Sequence, residues 1–195
     1  MDDLTKALID DRKVDVRHLQ SDDLAYVLEI DWAENPHDKW SGEHFSATQT
    51  RRCVVCEFSQ TSTKLSGVAG YILFSIRDQT PIGSAAHVLR IGVHDKCRKL
   101  GVGKLLLSVL TEPQKSKEEQ PTFRYVSIDV AETNLAAQLF LKSCGFRAEV
   151  RGPLRMTDKQ GDQVAIFRFF RPAGGWPCDD EAQLVSPGWK VGKDS

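Results

Sequence analysis

Residues Ile91 to Lys104 read IGVHDKCRKLGVGK, and the reading of this stretch decides the fold. An apolar strand end runs into a basic, glycine-punctuated turn, and the turn leads straight into the apolar run LLLSVL that begins at Leu105. A helix start offers backbone N–H groups with no intrahelical partner and the positive end of the helix dipole, which together attract anions. Gly101 and Gly103 remove side chains where a ligand must approach the backbone, and Lys96, Arg98, Lys99 and Lys104 add positive charge. The expected ligand carries a phosphate or pyrophosphate.

Two glycine-rich alternatives fail on named residues. A P-loop needs glycine where this sequence has Arg98, and Ser or Thr where it has Leu105. A dinucleotide fingerprint needs a third glycine where Leu106 stands. What remains is Arg98-Lys99-Leu100-Gly101-Val102-Gly103.

The chain has 195 residues, 41% of them hydrophobic, which suits one domain around one core. Its formal charge of -1 and pI near 6.5 provide no global field for nucleic acid or a membrane surface, so neither partner is expected and the anion site must be local. The longest clear apolar run, VAGYILF from Val68 to Phe74, falls well short of the ~20 residues of a membrane span. The opening MDDLTKALIDDR is acidic and lacks the basic region of a signal peptide, so a soluble, cytoplasmic protein is expected. An odd count of five cysteines fits reduced thiols.

Along the chain the pattern reads α, α, β, β, β, α, β, α, β, β, with an early strand near Val14 to Leu19. Ser21 is the expected cap of the first helix, ahead of Asp22 and Asp23; Asn35-Pro36 breaks that helix, and Ser41 caps a second, short one. Cys53 to Phe58 and Val68 to Ile76 form a hairpin, and Ala86 to Val93 is the strand that feeds the basic turn. A helix from Val102 to about Leu110 is followed by the strand Tyr125 to Val130, then by a helix capped at Thr133 or Asn134 and stopped by a left-handed Gly145. Phe146 to Arg151 and Val164 to Phe170 are the last two strands. Residues 1–171 are expected to form the domain and 172–195 a Pro/Gly-rich tail, which lies near the acceptor groove or seals a homodimer interface.

The basic hexapeptide between strand and helix, followed by DVAETNLAAQLFLKSCGF at Asp129 to Phe146, resembles the GNAT superfamily of acetyl-CoA-dependent N-acetyltransferases, over Gln20 to Phe170 in element order. Within it the sequence is most similar to the RimI type, which acetylates the N-terminal amine of a ribosomal protein; Ile30 to Phe45, with Pro36, Trp40-Ser41 and Phe45, carries that likeness. The resemblance implies an α/β fold of the α+β type: a mixed, mostly antiparallel sheet of roughly six to seven strands flanked by about four helices. Acetyl-CoA would lie between the diverging fourth and fifth strands, with no metal. Ile91, Gly92 and Val93 would contact pantetheine, Arg98, Lys99, Leu100, Gly101, Val102, Gly103 and Lys104 would hold the pyrophosphate, and Asn134 would bond the CoA arm.

Amide formation from a thioester needs a neutral amine, a polarised carbonyl and a proton for the leaving thiolate. By position, Asp129 stands where RimI-type enzymes carry a glutamate base; the alternative is an ion pair with Arg or Lys. His87, on the fourth strand, is the second candidate base, with the strand parity of Leu89, Ile91 and Val93; the alternative is a structural histidine. Leu141 stands where a tyrosine acid is expected, which leaves Ser143 or bulk water as donor. Cys53 and Cys56 should face opposite sides of a strand and form no zinc site, Cys144 reads as a buried thiol, and Arg147, Arg151 and Arg155 read as a solvated face. Glu34 and His37 fall in the loop that would shape the acceptor pocket. The expected reaction is acetylation of a protein N-terminal amine. Acetylation of a small amine, such as a polyamine, antibiotic or amino acid, and a CoA-sensing module without catalysis are the alternatives.

Overall fold

Runs rich in Val, Ile, Phe and Tyr form one mixed sheet, and the amphipathic segments between them cover its two faces. The computed structural model describes residues 14–36, 38–46, 51–58, 67–77, 84–112, 123–149, 154–157 and 163–173. Its strands are β1 (Val14–His18), β2 (Arg51–Phe58), β3 (Gly67–Arg77), β4 (Ala85–Val93), β5 (Tyr125–Ala131), β6 (Arg147–Ala148), β7 (Leu154–Thr157) and β8 (Gln163–Pro172). The helices are α1 (Leu24–Glu34), α2 (Gly42–Phe45), α3 (Val102–Thr111) and α4 (Leu135–Ser143). The strand order is β1-β2-β3-β4-β5-β8-β6, with β7 also paired to β8. Among the described residues only β4 and β5 run parallel, and every other pairing is antiparallel.

Each face buries its own core. Val102, Leu106, Leu107 and Leu110 of α3 and Leu141 of α4 pack with Val54, Cys56, Ile72, Val88 and Val126 on one side. On the other side Val27 and Ile30 of α1 and Phe45 of α2 pack with Cys53, Val55, Tyr71 and Leu73. Cys53 and Cys56 therefore fall in different cores, as strand alternation requires.

The first helix begins differently from its expected cap. A 3-10 turn at Ser21–Asp23 precedes α1, and the Asp23 carboxylate accepts the Gln20 N–H at 2.8 Å while Arg17 of β1 pairs with it at 2.6 Å. The Ser21 hydroxyl instead lies 3.3 Å from Asp22 Oδ1. The sixth strand shrinks to Arg147–Ala148 because Phe146 belongs to the end of α4: its N–H reaches the Leu141 carbonyl while Gly145, at φ 82°, bonds Lys142. The long β8 then serves both β6 and the unanticipated β7 along one edge, giving eight strands among the described residues.

The sheet splits in its middle. β4 and β5 pair only from Ala85↔Tyr125 to Val88↔Ile128, so Leu89–Val93 and Asp129–Ala131 continue apart. On the β3 side, Leu73 pairs with Arg90 and Phe74 with Val88, which leaves Leu89 as an extra residue in β4. This bulge reverses the strand's alternation. Leu89 packs with the α1-side core and Ile91 and Val93 with the α3-side core, so His87 does not share a face with Ile91 and Val93 as simple parity predicts. Gly92 is required here: a Cβ would stand 2.6 Å from the Tyr71 ring and 3.0 Å from Ile30.

Candidate active site

The basic turn takes its shape from two left-handed residues. Lys99 has φ 62° and Gly101, the N-cap of α3, has φ 85°, the second being a conformation that glycine adopts without strain. The first intrahelical bond of α3 runs from Leu105 N–H to Gly101 C=O, so the amides of Val102 and Gly103 precede it and face the turn's opening. Gly103 also answers a packing need. A Cβ there would come 3.0 Å from Phe140 of α4, so this glycine lets the two helices meet.

Beyond Val88, the β4 edge away from β3 has no strand partner among the described residues, and Leu89–Val93 can offer backbone groups to an extended amide-bearing chain as a β-strand edge does. The structure thus brings Ile91, Gly92, Val93, Leu100, Gly101, Val102, Gly103 and Lys104 into one continuous strand and turn. Arg98 sits in that turn, but its guanidinium pairs with Glu34 at the end of α1. Asn134 caps α4, its Oδ1 accepting the Ala137 N–H at 3.1 Å, and its amide NH2 remains to donate to a ligand.

The two candidate bases lie together on the α1 side of the split. His87 is buried, with Nδ1 3.0 Å from Ser127 Oγ and Nε2 3.8 Å from Asp129 Oδ2. Arg168 of β8 grips Asp129 with Nε at 2.7 Å and a terminal nitrogen at 2.8 Å. Burial pushes the His87 imidazole below its ordinary range; Asp129 pulls it back, while Arg77 and Arg168 oppose that. Burial alone would raise the Asp129 carboxyl, but the Arg168 hydrogen bonds and the positive surroundings outweigh it and hold the group below its usual range. The ion-pair reading of Asp129 therefore describes its state in this structure. A carboxylate so held is a weak proton acceptor, whereas a neutral imidazole is a competent one.

Among the described residues, neither expected donor position at the α4 end supplies an acid. Leu141 is buried in the α3-side core, and Ser143 Oγ donates to the Phe140 carbonyl at 2.7 Å. The buried Tyr71 donates to Asp31 Oδ1 at 2.6 Å, and burial together with that bond raises its phenol. Burial likewise pushes the Cys53 and Cys56 thiols up to about 12, and raises Cys144. Among the described residues no group of three or more His, Cys, Asp or Glu is arranged to hold a metal, and no helix is long and apolar enough to cross a membrane.

The segment between α1 and α2 is tied down by Arg90. This arginine follows the Leu89 bulge, pairs with the buried Asp31 at 3.4 Å and with Asp38, and stacks on Trp40 at 4.3 Å from the ring centroid. Ser41 caps α2 as expected, its N–H bonding His44 Nδ1 at 3.2 Å. His37, Arg151 and the tail from residue 174 lie outside the described residues, as do the side chains of 154–157, Arg155 among them.

Sequence reasoning passed over Ser127, Arg168 and Arg90. Each left a faint signal: Ser127 is a small polar residue inside YVSIDV, Arg168 a lone charge inside VAIFRFF, and Arg90 a lone charge inside HVLRIGV. Nothing local shows what each would meet.

Several solved structures share this architecture. NAA60 from Arabidopsis thaliana, in complex with a bisubstrate analogue, superposes with a TM-score of 0.65 at 20% identity, covering 84% of this chain and 99% of its own. SpeG spermidine N-acetyltransferase from Vibrio cholerae gives 0.61 at 16% identity, over 83% and 94%. The ribosomal-protein alanine N-acetyltransferase from Escherichia coli gives 0.58 at 15% identity, over 86% and 97%. At these identities the likeness is one of fold. No curated protein matches significantly. The profile of the Acetyltransferase (GNAT) family, however, matches residues 14–146, from β1 to the end of the α4 cap, and the chain belongs to that family of acyltransferases that use acetyl-CoA.

Proposed function

We propose that the chain transfers the acetyl group of acetyl-CoA to the α-amine of a protein N-terminus. The observation that carries the acceptor class is that, among the described residues of α1 and the following loop, Asp31, Glu34 and Asp38 each form an ion pair with an arginine, though one oxygen of Asp31 stays unpartnered. Asp31 and Asp38 are bound by Arg90, and Glu34 by Arg98; across the split, Asp129 is bound by Arg168. A polyamine carries several positive charges and needs unpaired carboxylates to compete with water for it. A peptide N-terminus brings one charge, which it must lose before it reacts, and a backbone that β4 and the α1–α2 segment can accompany. Similar folds act on both kinds of acceptor by name, the alanine N-acetyltransferase and the spermidine enzyme.

In this reading the acetyl-CoA pyrophosphate meets the turn from Lys99 to Lys104, and the pantetheine arm follows Ile91 to Val93. His87 takes the proton of the incoming ammonium. The neutral amine forms the C–N bond at the thioester carbon, and the C–S bond breaks. The second proton lost by nitrogen passes to the thiolate through solvent, since Leu141 cannot supply one. Loss of a fixed acid leaves the thiolate to depart near the pKa of a free thiol, a tolerable leaving group without assistance. The buried, unpaired thiols among the described residues suit a reducing compartment and support a cytoplasmic location.

Thiol release from acetyl-CoA across peptides differing in their first residue, and across spermidine and free amino acids, tests the acceptor class. Peptide α-amines should give the highest kcat/KM. Preference for spermidine would overturn the acceptor assignment, and tight CoA binding without turnover on any amine would overturn the catalytic one.

A further inference from the structure

The His87 site contains two polar side chains that a general base does not need merely in order to exist. Ser127, on the neighbouring β5 rung, has one hydroxyl proton and two acceptors in reach: Ala86 C=O at 3.5 Å and His87 Nδ1 at 3.0 Å. If the proton goes to Ala86, the hydroxyl oxygen accepts Nδ1–H and both groups are satisfied, leaving His87 Nε2 as a lone pair. If it goes to Nδ1, the imidazole carries Nε2–H, whose nearest carboxylate oxygen is 3.8 Å away, beyond hydrogen-bond length. The first arrangement gives the buried Ser127 hydroxyl two hydrogen bonds and the second only one, which favours the first. Arg168 acts in the same direction: by occupying both oxygens of Asp129 it removes the anion that would otherwise draw an Nε2 proton.

We propose that Ser127 and Arg168 are positioning residues, Ser127 fixing the His87 tautomer and Arg168 occupying Asp129, so that Nε2 is the lone pair that receives the acceptor's proton where β4 and β5 part. The inference rests on His87 being the base. Before transfer the acceptor nitrogen holds the proton as ammonium; after it, His87 is imidazolium, with Nδ1–H still on Ser127 and Nε2 3.8 Å from Asp129 Oδ2, in ion-pair but not hydrogen-bond range. Asp129 then serves as the counter-charge of the protonated base. The charged groups around the ring are Arg77 from β3, Asp129 from β5 and Arg168 from β8.

The test reads the ring directly. Nitrogen-15 spectra of histidine-labelled protein at pH 7.5 distinguish a protonated from a lone-pair nitrogen without requiring activity. They should show His87 protonated at Nδ1, and Ser127→Ala should shift it toward the Nε2–H form. In kinetics Ser127→Ala should lower kcat about tenfold, as loss of an orienting partner does, with KM for acetyl-CoA unchanged, and Ser127→Thr should recover most of the rate. Arg168→Gln should move the acid limb of kcat/KM to higher pH, because the bare Asp129 charge favours imidazolium. An Nε2–H tautomer in the native protein, or a spectrum that Ser127→Ala leaves unchanged, overturns the proposal. If no amine is acetylated, the base assignment fails, and the spectrum still decides the tautomer.

Discussion

The two ends of β4 hold their groups by different means. At its C-terminal end, Ile91–Val93 and the turn to Lys104 offer backbone amides, two left-handed residues and a helix start, all within one stretch of chain. At its N-terminal half, His87 acquires its properties from Ser127 and Asp129 on β5, Arg168 on β8 and Arg77 on β3. The first region is built from main chain; the second is a titratable group tuned by side chains that only the sheet brings together. Damage to the first should therefore be read in affinity and stability, and damage to the second in rate and pH dependence.

The largest expected effect separates them most cleanly. Removing the imidazole in His87→Gln should slow transfer by about 10² to 10⁴-fold, the usual contribution of a positioned base, while acetyl-CoA affinity stays within error in a calorimetric titration. A parallel fall in affinity would erase the distinction. Next is Gly92→Ala, whose new methyl meets the Tyr71 ring and the Ile30 side chain; overpacking of this kind costs about 1–3 kcal/mol and should lower the urea midpoint. Gly101→Ala follows. A non-glycine residue at φ 85° costs ~1–2 kcal/mol, and the expected reading is weaker acetyl-CoA binding with kcat retained at saturation.

Stability as a function of pH sharpens the contrast further. His87 is held below its unfolded value, so as pH falls below ~6.5 the unfolded chain takes the proton first and the native state loses stability until the folded pKa is passed. Relative to His87→Gln, native protein should lose stability between pH 7 and pH 5 in denaturant titrations. Asp129 is depressed, so its contribution is fully present above ~3.9 and disappears only as pH falls through its lower folded value. The His87 window opens near pH 6.5, well above the ~3.9 below which the Asp129 contribution begins to fall. The smallest effect belongs to Arg98→Ala: its guanidinium already has Glu34, and exchanging an exposed pair for a phosphate contact should change acetyl-CoA KM by less than about fivefold, within the ~1 kcal/mol of a surface ion pair.

How much of this was readable in the sequence follows from the same contrast. The turn was legible because its chemistry is local: Arg98, Gly101 and the apolar run from Leu105 state their environment in adjacent positions. So were the strands, the Ser41 and Asn134 caps and the opposed cysteines, which depend on period and capping rules. The Leu89 bulge was not, because an extra residue in one strand shows only against the register of its neighbour, and it turned the assumed parity of His87 and Ile91 into opposite faces. The shortening of β6 had a similar origin, since the bonds of the α4 cap claim Phe146 before the sheet can. Asp129 and His87 were both visible as titratable residues, but the difference in their electrostatic states was not, because an arginine 39 positions further along the chain holds Asp129. Asp31 shows the same limit on the other side of the strand. It reads as one more acidic residue on a surface helix, yet it is buried against Tyr71, Arg90 and Asn35, with its second oxygen unpartnered.

The central claim is that binding of acetyl-CoA and removal of the acceptor's proton reside at separate ends of β4. It is tested most directly by single-turnover transfer from acetyl-CoA to a peptide α-amine, measured on native protein and His87→Gln, with acetyl-CoA binding determined on the same samples. The account predicts equal binding and a transfer rate at least about a hundredfold lower in the variant, with the loss greatest at neutral pH. Equal transfer rates, or rates and binding that fall together, would contradict it.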